Sequence, residues 1–405
     1  MSSTLTSLKR ILPLIAVLAA CVAVPAIASA AGSSSVIKWG KSHALENPNK
    51  GGAFDAVSCA PSGGATTTAT PTTAATALLC VVGDVKGGVW ATAHPSRPAS
   101  GWTRENIDRG NAITGVSCPT TSFCVAVDAA GQVMHTSRPL GGVKAWSKPV
   151  RIATATQPGG GYAGLSGVSC PTNNFCVAVD NAANGQVAYT TDPSGPATAW
   201  TLATVATGVT LDSVSCESTT LCVIGGSERF VSVAPTSGAS SWKPMGTLSS
   251  SPALISGVTC NTAQLCVSVG YGDAGVGLAS ASSQPSTSAT LWAGSQIGSD
   301  PPAVSAQLVD GVACPERNLC VAVDGASNVY TTGSPVRGGW SVGKPLKKAS
   351  QGTASAISCN STVCVEVDNR GTVTYGAVKA ASAATTPTTS STTKTTTTST
   401  TTKTG

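Results

Sequence analysis

The stretch Gly115–Pro139, GVSCPTTSFCVAVDAAGQVMHTSRP, returns as Gly167–Pro193, GVSCPTNNFCVAVDNAANGQVAYTTDP, and again as Gly311–Pro335, GVACPERNLCVAVDGASNVYTTGSP. Each copy opens on a cysteine pair, and the chain carries seven such pairs: Cys59/Cys80, Cys118/Cys124, Cys170/Cys176, Cys216/Cys222, Cys260/Cys266, Cys314/Cys320 and Cys359/Cys364. Successive second cysteines lie 44, 52, 46, 44, 54 and 44 residues apart, the period of propeller blades.

One copy reads as four short strands. The first ends at a cysteine, as in Gly115 to Cys118. The second, Cys124 to Asp128, sets Val125 and Val127 on one face and Cys124 and Ala126 on the other. An Asp-x-x-Gly turn leads into the third, Gln132 to Ser137, and the fourth run carries a Trp. Four antiparallel strands bounded by turn residues make one blade.

The tryptophans count the blades. Trp102, Trp146, Trp200, Trp242, Trp292 and Trp340 end the first six copies, whereas the seventh stops near Val378 without one. The missing element stands at the other end of the chain, in Val36-Ile37-Lys38-Trp39. The expected fold is therefore all-β: a seven-bladed propeller over residues 36–378, with the N-terminal strand completing the last blade and leaving no open edge.

The ends read differently. Lys9 and Arg10, the apolar run Ile11 to Val24 and the small residues Ala28-Ser29-Ala30 form an export signal over residues 1–30. Leu18-Ala19-Ala20-Cys21 is a competing lipobox that would put a lipid on Cys21, but the residues after it stay apolar, so simple cleavage near Ala30 is expected. No transmembrane helix is expected after cleavage. Residues 380–405 are a Thr-rich tract with nothing to bury, expected to be a disordered tail. The expected location is secreted or at the cell envelope.

Export decides the cysteine chemistry. Outside the cytoplasm paired thiols persist as disulfides. Zinc sites prefer gaps of two to four residues, whereas five of these seven gaps are five residues and the chain has only 3 His. Seven disulfides, one per blade, and no metal are expected. Twenty residues between Cys59 and Cys80 mark the bridged hairpin as a surface loop, since loops absorb insertions at small entropic cost. The bridges are accordingly expected as local clasps on one rim of the ring.

Charge excludes some partners. Five of the 24 basic residues (Lys9, Arg10, Lys379, Lys394, Lys403) lie in the signal and tail, leaving 19 against 18 acidic ones. A near-neutral body carries no electrostatic footprint for nucleic acid or an anionic membrane. No cofactor motif, phosphate loop or Ser-His-Asp arrangement is present.

The repeat resembles degenerate BNR/Asp-box propellers and the seven-bladed photosystem II assembly-factor family. Val116-Ser117-Cys118, Cys124 to Asp128, Gly131-Gln132-Val133 with Thr136, and Trp146 take the successive places of that family's blade, and Thr191 to Gly195 approaches an Asp box. The resemblance implies the fold across residues 36–378. Because sialidases share such blades, it also implies an alternative function, a sialidase-like glycoside hydrolase or lyase. That chemistry needs three arginines on a carboxylate, a Tyr–Glu nucleophile and an acid Asp. Here Arg97, Arg138 and Arg337 fall in third-to-fourth strand turns and Arg317 in a disulfide loop, on the face opposite the usual propeller ligand site.

A binding role leads: a non-enzymatic scaffold for a protein or cell-envelope polymer. Its expected ligand face is built by second-to-third strand turns and blade linkers, where Arg104, Glu105, Asp108 and Arg109, then Arg151 and Tyr162, are the candidate binding residues. Asp84, Asp128, Asp180, Asp324 and Asp368 end the second strands, with Gly225 and Gly270 in copies four and five. They read either as a ring of cation ligands or, preferably, as caps of their own turns. The Trp series reads as packing between blades; Trp90 falls outside the register, and His94 and His135 read as scattered surface residues.

Overall fold

The computed structural model describes residues 35–47, 52–60, 78–153, 164–182, 184–249, 253–261, 265–272, 275–298, 308–346, 352–379 and 405. The expected export signal with Cys21, Tyr162 and most of the Thr-rich tail lie outside the described residues, as does most of the Cys59–Cys80 loop.

Among the described residues there are seven four-stranded antiparallel sheets, six of them ordered as consecutive strands. The seventh combines Ala354–Cys359, Val363–Asp368 and Thr372–Lys379 with the N-terminal strand Val36–Ala44. Val36 stands opposite Lys379 and Trp39 opposite Gly376. The ring closes as expected, with a closing strand that runs five residues past Trp39.

All seven expected cysteine pairs are disulfides, each joining the first and second strands of its own blade. They are Cys59–Cys80, Cys118–Cys124, Cys170–Cys176, Cys216–Cys222, Cys260–Cys266, Cys314–Cys320 and Cys359–Cys364.

The core lies between blades rather than inside any one of them, because a single sheet has no second layer to cover its faces. Second strands are buried on both sides: Phe123–Asp128, Phe175–Asp180 and Leu319–Asp324 have no exposed residue. In blade two, Cys124 and Ala126 pack back on Val81 and Val89 of blade one. Val125 and Val127 pack forward on Cys176 and Ala178 of blade three. The seam repeats the same contact, setting Val363, Val365 and Val367 of blade seven against Cys80 and Val82 of blade one. The valine face of each blade thus receives the cysteine face of the next.

Three expectations need correction. The first concerns the bridges, which are local to each blade as expected but are buried rather than lying at the rim's surface. The second cysteine of every pair has no exposed surface: Cys80, Cys124, Cys176, Cys222, Cys266, Cys320 and Cys364 are all fully buried. Each is the first or second residue of the second strand, on the face that meets the preceding blade. Cys222 packs among Val177 and Val179 of blade three, Cys266 among Val223 and Val231 of blade four. Cys320 lies against Val267 and Val269 of blade five, and Cys364 against Val321 and Val323 of blade six. The hairpin loop beyond the bridge reaches the surface, but the sulfur itself belongs to the interblade core, where a half-cystine behaves as a small apolar side chain.

The second correction is that the tryptophans do not sit inside the fourth strands. Trp102, Trp200 and Trp292 close a short 3-10 turn and stand immediately before the outer strand, with the indole folded onto the preceding blade. The third concerns blade four, where the turn position of Asp belongs to Gly226, not Gly225, because Gly226 is the residue opposite Leu211.

First strands of adjacent blades converge on the axis too closely for larger side chains. A Cβ on Gly115 would lie 3.0 Å from the Val168 amide of the next blade. Side-chain hydroxyls stitch them instead. The Cys118 N–H donates to Ser58 Oγ of the preceding blade (3.0 Å), and Cys170, Cys216 and Cys260 repeat this with Ser117, Ser169 and Ser215. At the seam Cys59 N–H donates to Ser358 Oγ at 3.0 Å. The serine of the Val-Ser-Cys motif is therefore a connector between blades.

The channel mouth as candidate functional site

Residues of the seven first strands line the central channel in three rings. The ring nearest the linker face is Asp55, Thr114, Ser166, Asp212, Ser256, Asp310 and Ser355. Three of its four hydroxyls also stitch blades: Ser166 Oγ donates to Leu211 O at 2.7 Å, while Thr114 Oγ1 donates to Leu165 O and Ser256 Oγ to Val309 O. An ionised carboxylate has no proton to donate to such a carbonyl. Asp55, Asp212 and Asp310 therefore break the structural rule of the ring. Departures from a fold's own local rule concentrate at functional positions.

Asp212 and Asp310 border one cavity of about 420 Å³ together with Leu254, Ser256, Tyr271, Ala354 and Ser355. Burial raises the pKa of Asp55 and Asp212, the Thr210 hydroxyl partly opposing it at Asp212. Asp310 is pushed up to about 7, first by burial and then by the charge of Asp324. Burial followed by Asp310 and Asp212 raises the Tyr271 phenol, so the tyrosine lies in the field of both carboxyls. Among the described residues, no lysine or arginine lines the channel and its mouth. The result is an acidic opening with hydroxyl acceptors and one phenol. The three-arginine clamp that sialidase chemistry needs is not assembled there.

The candidate residues read from the linkers are dispersed. Arg104 is tied down, donating from Nε to Asp84 (3.0 Å) and to Glu46 (3.1 Å); Lys86 holds the other Glu46 oxygen at 3.0 Å. Glu105, on the same outer strand Thr103–Asn106, is 5% exposed, and burial raises its pKa. Asp108 accepts from Asn111 (3.0 Å) and from the Gln132 amide (2.8 Å) at the junction with blade two. Arg109 is exposed, and the exposed Arg151 reaches the Ala130 carbonyl. Arg104 and Asp108 are thus held in separate networks on that linker.

Four of the strand-end aspartates hold their own turns. Asp84 Oδ1 accepts from the N–H groups of Lys86 (2.9 Å) and Gly88 (2.8 Å), and Asp128, Asp324 and Asp368 repeat the pattern. Trp90 packs edge-on against Phe54 with ring centroids 6.2 Å apart, in the core between blades seven and one.

The sequence carries one signal for the mouth. Aligned at the second position of the first strand, the copies read Asp, Thr, Ser, Asp, Ser, Asp, Ser. Positions 55, 212 and 310 are far apart in the chain, and only the ring brings them together.

No known family profile matches the chain, and no curated protein matches it in sequence. Solved structures do match. "YCF48 bound to D1 peptide" aligns with a TM-score of 0.58 at 12% identity, covering 86% of this chain and 99% of that one. YCF48 from Cyanidioschyzon merolae aligns at 0.56 and 13%, covering 84% and 98%. The Cps50 (Swd1) β-propeller domain of Myceliophteria thermophila aligns at 0.53 and 10%, covering 74% and 94%. At such identities the likeness is one of fold.

Proposed function

We propose that the chain is an exported, non-enzymatic propeller scaffold that binds a protein or cell-envelope polymer, gripping a cationic group of it at the channel mouth. The observation that carries this reading is the replacement of three stitching hydroxyls by Asp55, Asp212 and Asp310 around one opening. Each substitution forgoes a blade-to-blade hydrogen bond, and Asp212 and Asp310 are half-buried, which raises their pKa. A bound ammonium or guanidinium supplies donors to all three and offsets that cost. Exposed Arg109 and Arg151 then belong to the surrounding linker rim, where a longer ligand would continue. Seven formed disulfides support an oxidising compartment. A propeller of the same fold has been solved with a peptide bound, which supports a peptide-like ligand here.

The test is direct binding of a lysine-bearing peptide library alongside its acetyl-lysine counterpart. The lysine peptides should be retained, the acetylated ones should not, and added salt should weaken retention. Asp55→Asn, Asp212→Asn and Asp310→Asn combined should abolish binding while leaving the circular dichroism spectrum unchanged. Equal retention of both libraries by the wild type would overturn the reading.

A further inference from the structure

The hairpin joining the third and outer strands follows one pattern in blades one to six. The residue opposite the second cysteine is a threonine or serine: Thr92, Thr136, Thr190, Ser232, Ser282 and Thr332. Its hydroxyl oxygen accepts the N–H of the residue two further on, at 2.9–3.2 Å, and so starts the turn. One residue later stands a proline in every case, Pro95, Pro139, Pro193, Pro235, Pro285 and Pro335, and all six are buried. The turn lies on the preceding blade. Pro335–Arg337 packs against the third strand of blade five, Gly277–Ser282, and Pro235–Ser237 against that of blade three, Gln186–Thr190.

Among the described residues, blade seven has no such hairpin, because its outer strand comes from the other end of the chain. Gly376 stands opposite Cys364 and has no hydroxyl to start a turn. In the place of the proline is Lys379, still in the third strand and paired with Val36. Val329, Thr331 and Thr332 of the third strand of blade six, where a turn of blade seven would lie, border instead a groove of about 650 Å³. That volume is within the range of ligand pockets. Ile37 and Trp39 border it from blade seven and Leu346 from blade six, all three half-buried. Exposed Asn318 and Lys344 border it too and carry donors for the carbonyls of a chain laid alongside.

We propose that this groove at the seam docks a proline-bearing segment of a partner protein, laid where the hairpins lie in the other six interfaces. Those interfaces define the chemistry that fits: a turn of chain with a buried proline, set on the third strand of the preceding blade. Proline suits a groove bordered by an aromatic ring, since its own ring is apolar, its φ is fixed and it brings no N–H to leave unpaired. Trp39 supplies that ring. Val36, 54% exposed, extends the apolar border to the surface. The groove shares no residue with the channel or its acidic mouth, so this site is additional to the one proposed above.

The test is fluorescence anisotropy with a labelled, end-capped peptide of the blade-four hairpin, Ser232–Ser241 (SVAPTSGASS). It holds one proline and no charge, so the acidic mouth has no cation to grip. The peptide should bind the whole chain saturably, and alanine in place of its proline should weaken binding by about five-fold or more, the loss expected of a central contact. Val36→Glu, at the exposed rim, should weaken it likewise, whereas Leu140→Glu, at a 51% exposed position of blade two, should bind as the parent does. Asp55→Asn, Asp212→Asn and Asp310→Asn combined should also bind as the parent, so this proposal and the channel-mouth reading fail separately. The proposal is overturned if no saturation is reached up to about 1 mM. It is equally overturned if the alanine peptide binds as tightly, or if Val36→Glu changes nothing. It also falls if the peptide binds only once residues 380–405 are removed, since the chain's own tail and not a partner would then fill the groove.

Discussion

The guanidinium of Arg229 in blade four lies 3.8 Å from the ring centroid of Trp292 in blade five, fully buried in the interface between the two blades. Its Nε and Nη2 donate to Ser268 Oγ (3.1 and 2.8 Å) and its Nη1 to the Met245 carbonyl (3.0 Å). Burial lowers its pKa to about 9. In blades two, three and six the position of Arg229 is a valine (Val133, Val187, Val329) and that of Ser268 an alanine (Ala126, Ala178, Ala322). The arginine and the serine are one paired departure, in which the indole face and the hydroxyl substitute for a carboxylate partner.

That pairing predicts non-additivity. Arg229→Ala should destabilise the chain by about 2–4 kcal/mol, through the cavity it leaves against Trp292. Arg229→Val with Ser268→Ala, which restores the residues of those three blades, should cost less than the sum of the two single changes. Urea unfolding of all four proteins measures the coupling. Strict additivity would show that the two residues do not act together.

Closure predicts a second outcome. Gly376 faces the closing strand, and a Cβ there would lie 2.7 Å from Ile37 and 2.8 Å from the Trp39 ring. Gly376→Val should therefore destabilise by about 1–3 kcal/mol, the usual cost of overpacking. Gly40→Ala, whose Cβ would sit 3.5 Å from its nearest neighbour, should cost far less. Thermal unfolding of the two variants separates them, and equal Tm values would remove Trp39 from the closure.

Bridge length predicts a third. The Cys59–Cys80 bridge spans 21 residues, whereas Cys118–Cys124 spans 6. On the loop-entropy relation, removing the longer bridge by a double Cys→Ala change should cost about 1 kcal/mol more than removing the shorter one. Denaturant midpoints of the two variants check the difference. Non-reducing mass spectrometry should find every cysteine of residues 36–378 oxidised.

Buried carboxyls set the pH dependence. Asp128, Asp180 and Asp310 are each raised to about 7, chiefly by burial, with Asp108 adding to the shift at Asp128. In the unfolded chain an Asp titrates at about 3.9. Between about pH 4 and 7 the folded chain therefore holds more protons than the unfolded one, and stability falls as pH rises through that window. Tm should be several degrees higher at pH 5 than at pH 8, since a kcal/mol shifts Tm by about 2–4 °C in domains of a few hundred residues. Asp310→Asn should flatten the slope. A Tm that rises with pH across this window would contradict the assignment.

The repeat made much of this fold legible. Cysteine spacing marked the blades, the missing seventh Trp strand pointed to Val36–Trp39, and Asp-x-x-Gly marked the turns. Those signals are local, because each rests on neighbours within one blade. The Arg104 linker looked available for a ligand for the same reason: nothing nearby in sequence opposes it. Its actual partners, Glu46 and Asp84, stand 58 and 20 residues away, and Glu46 reaches it only because the closing strand has been carried round to the seam.

Legible in the sequence is the blade: four strands, one bridge and an alternating second strand, repeated seven times, with an Asp-capped turn in four of the copies. Periodicity and cysteine spacing suffice for those, since each is set by short-range geometry. The packing of the closed ring fixes which face of each blade meets which neighbour, and buries the cysteine face against the preceding valines. It alone placed Asp55, Asp212 and Asp310 around one opening. That relation follows from closing the ring, which does not act through residues adjacent in the chain.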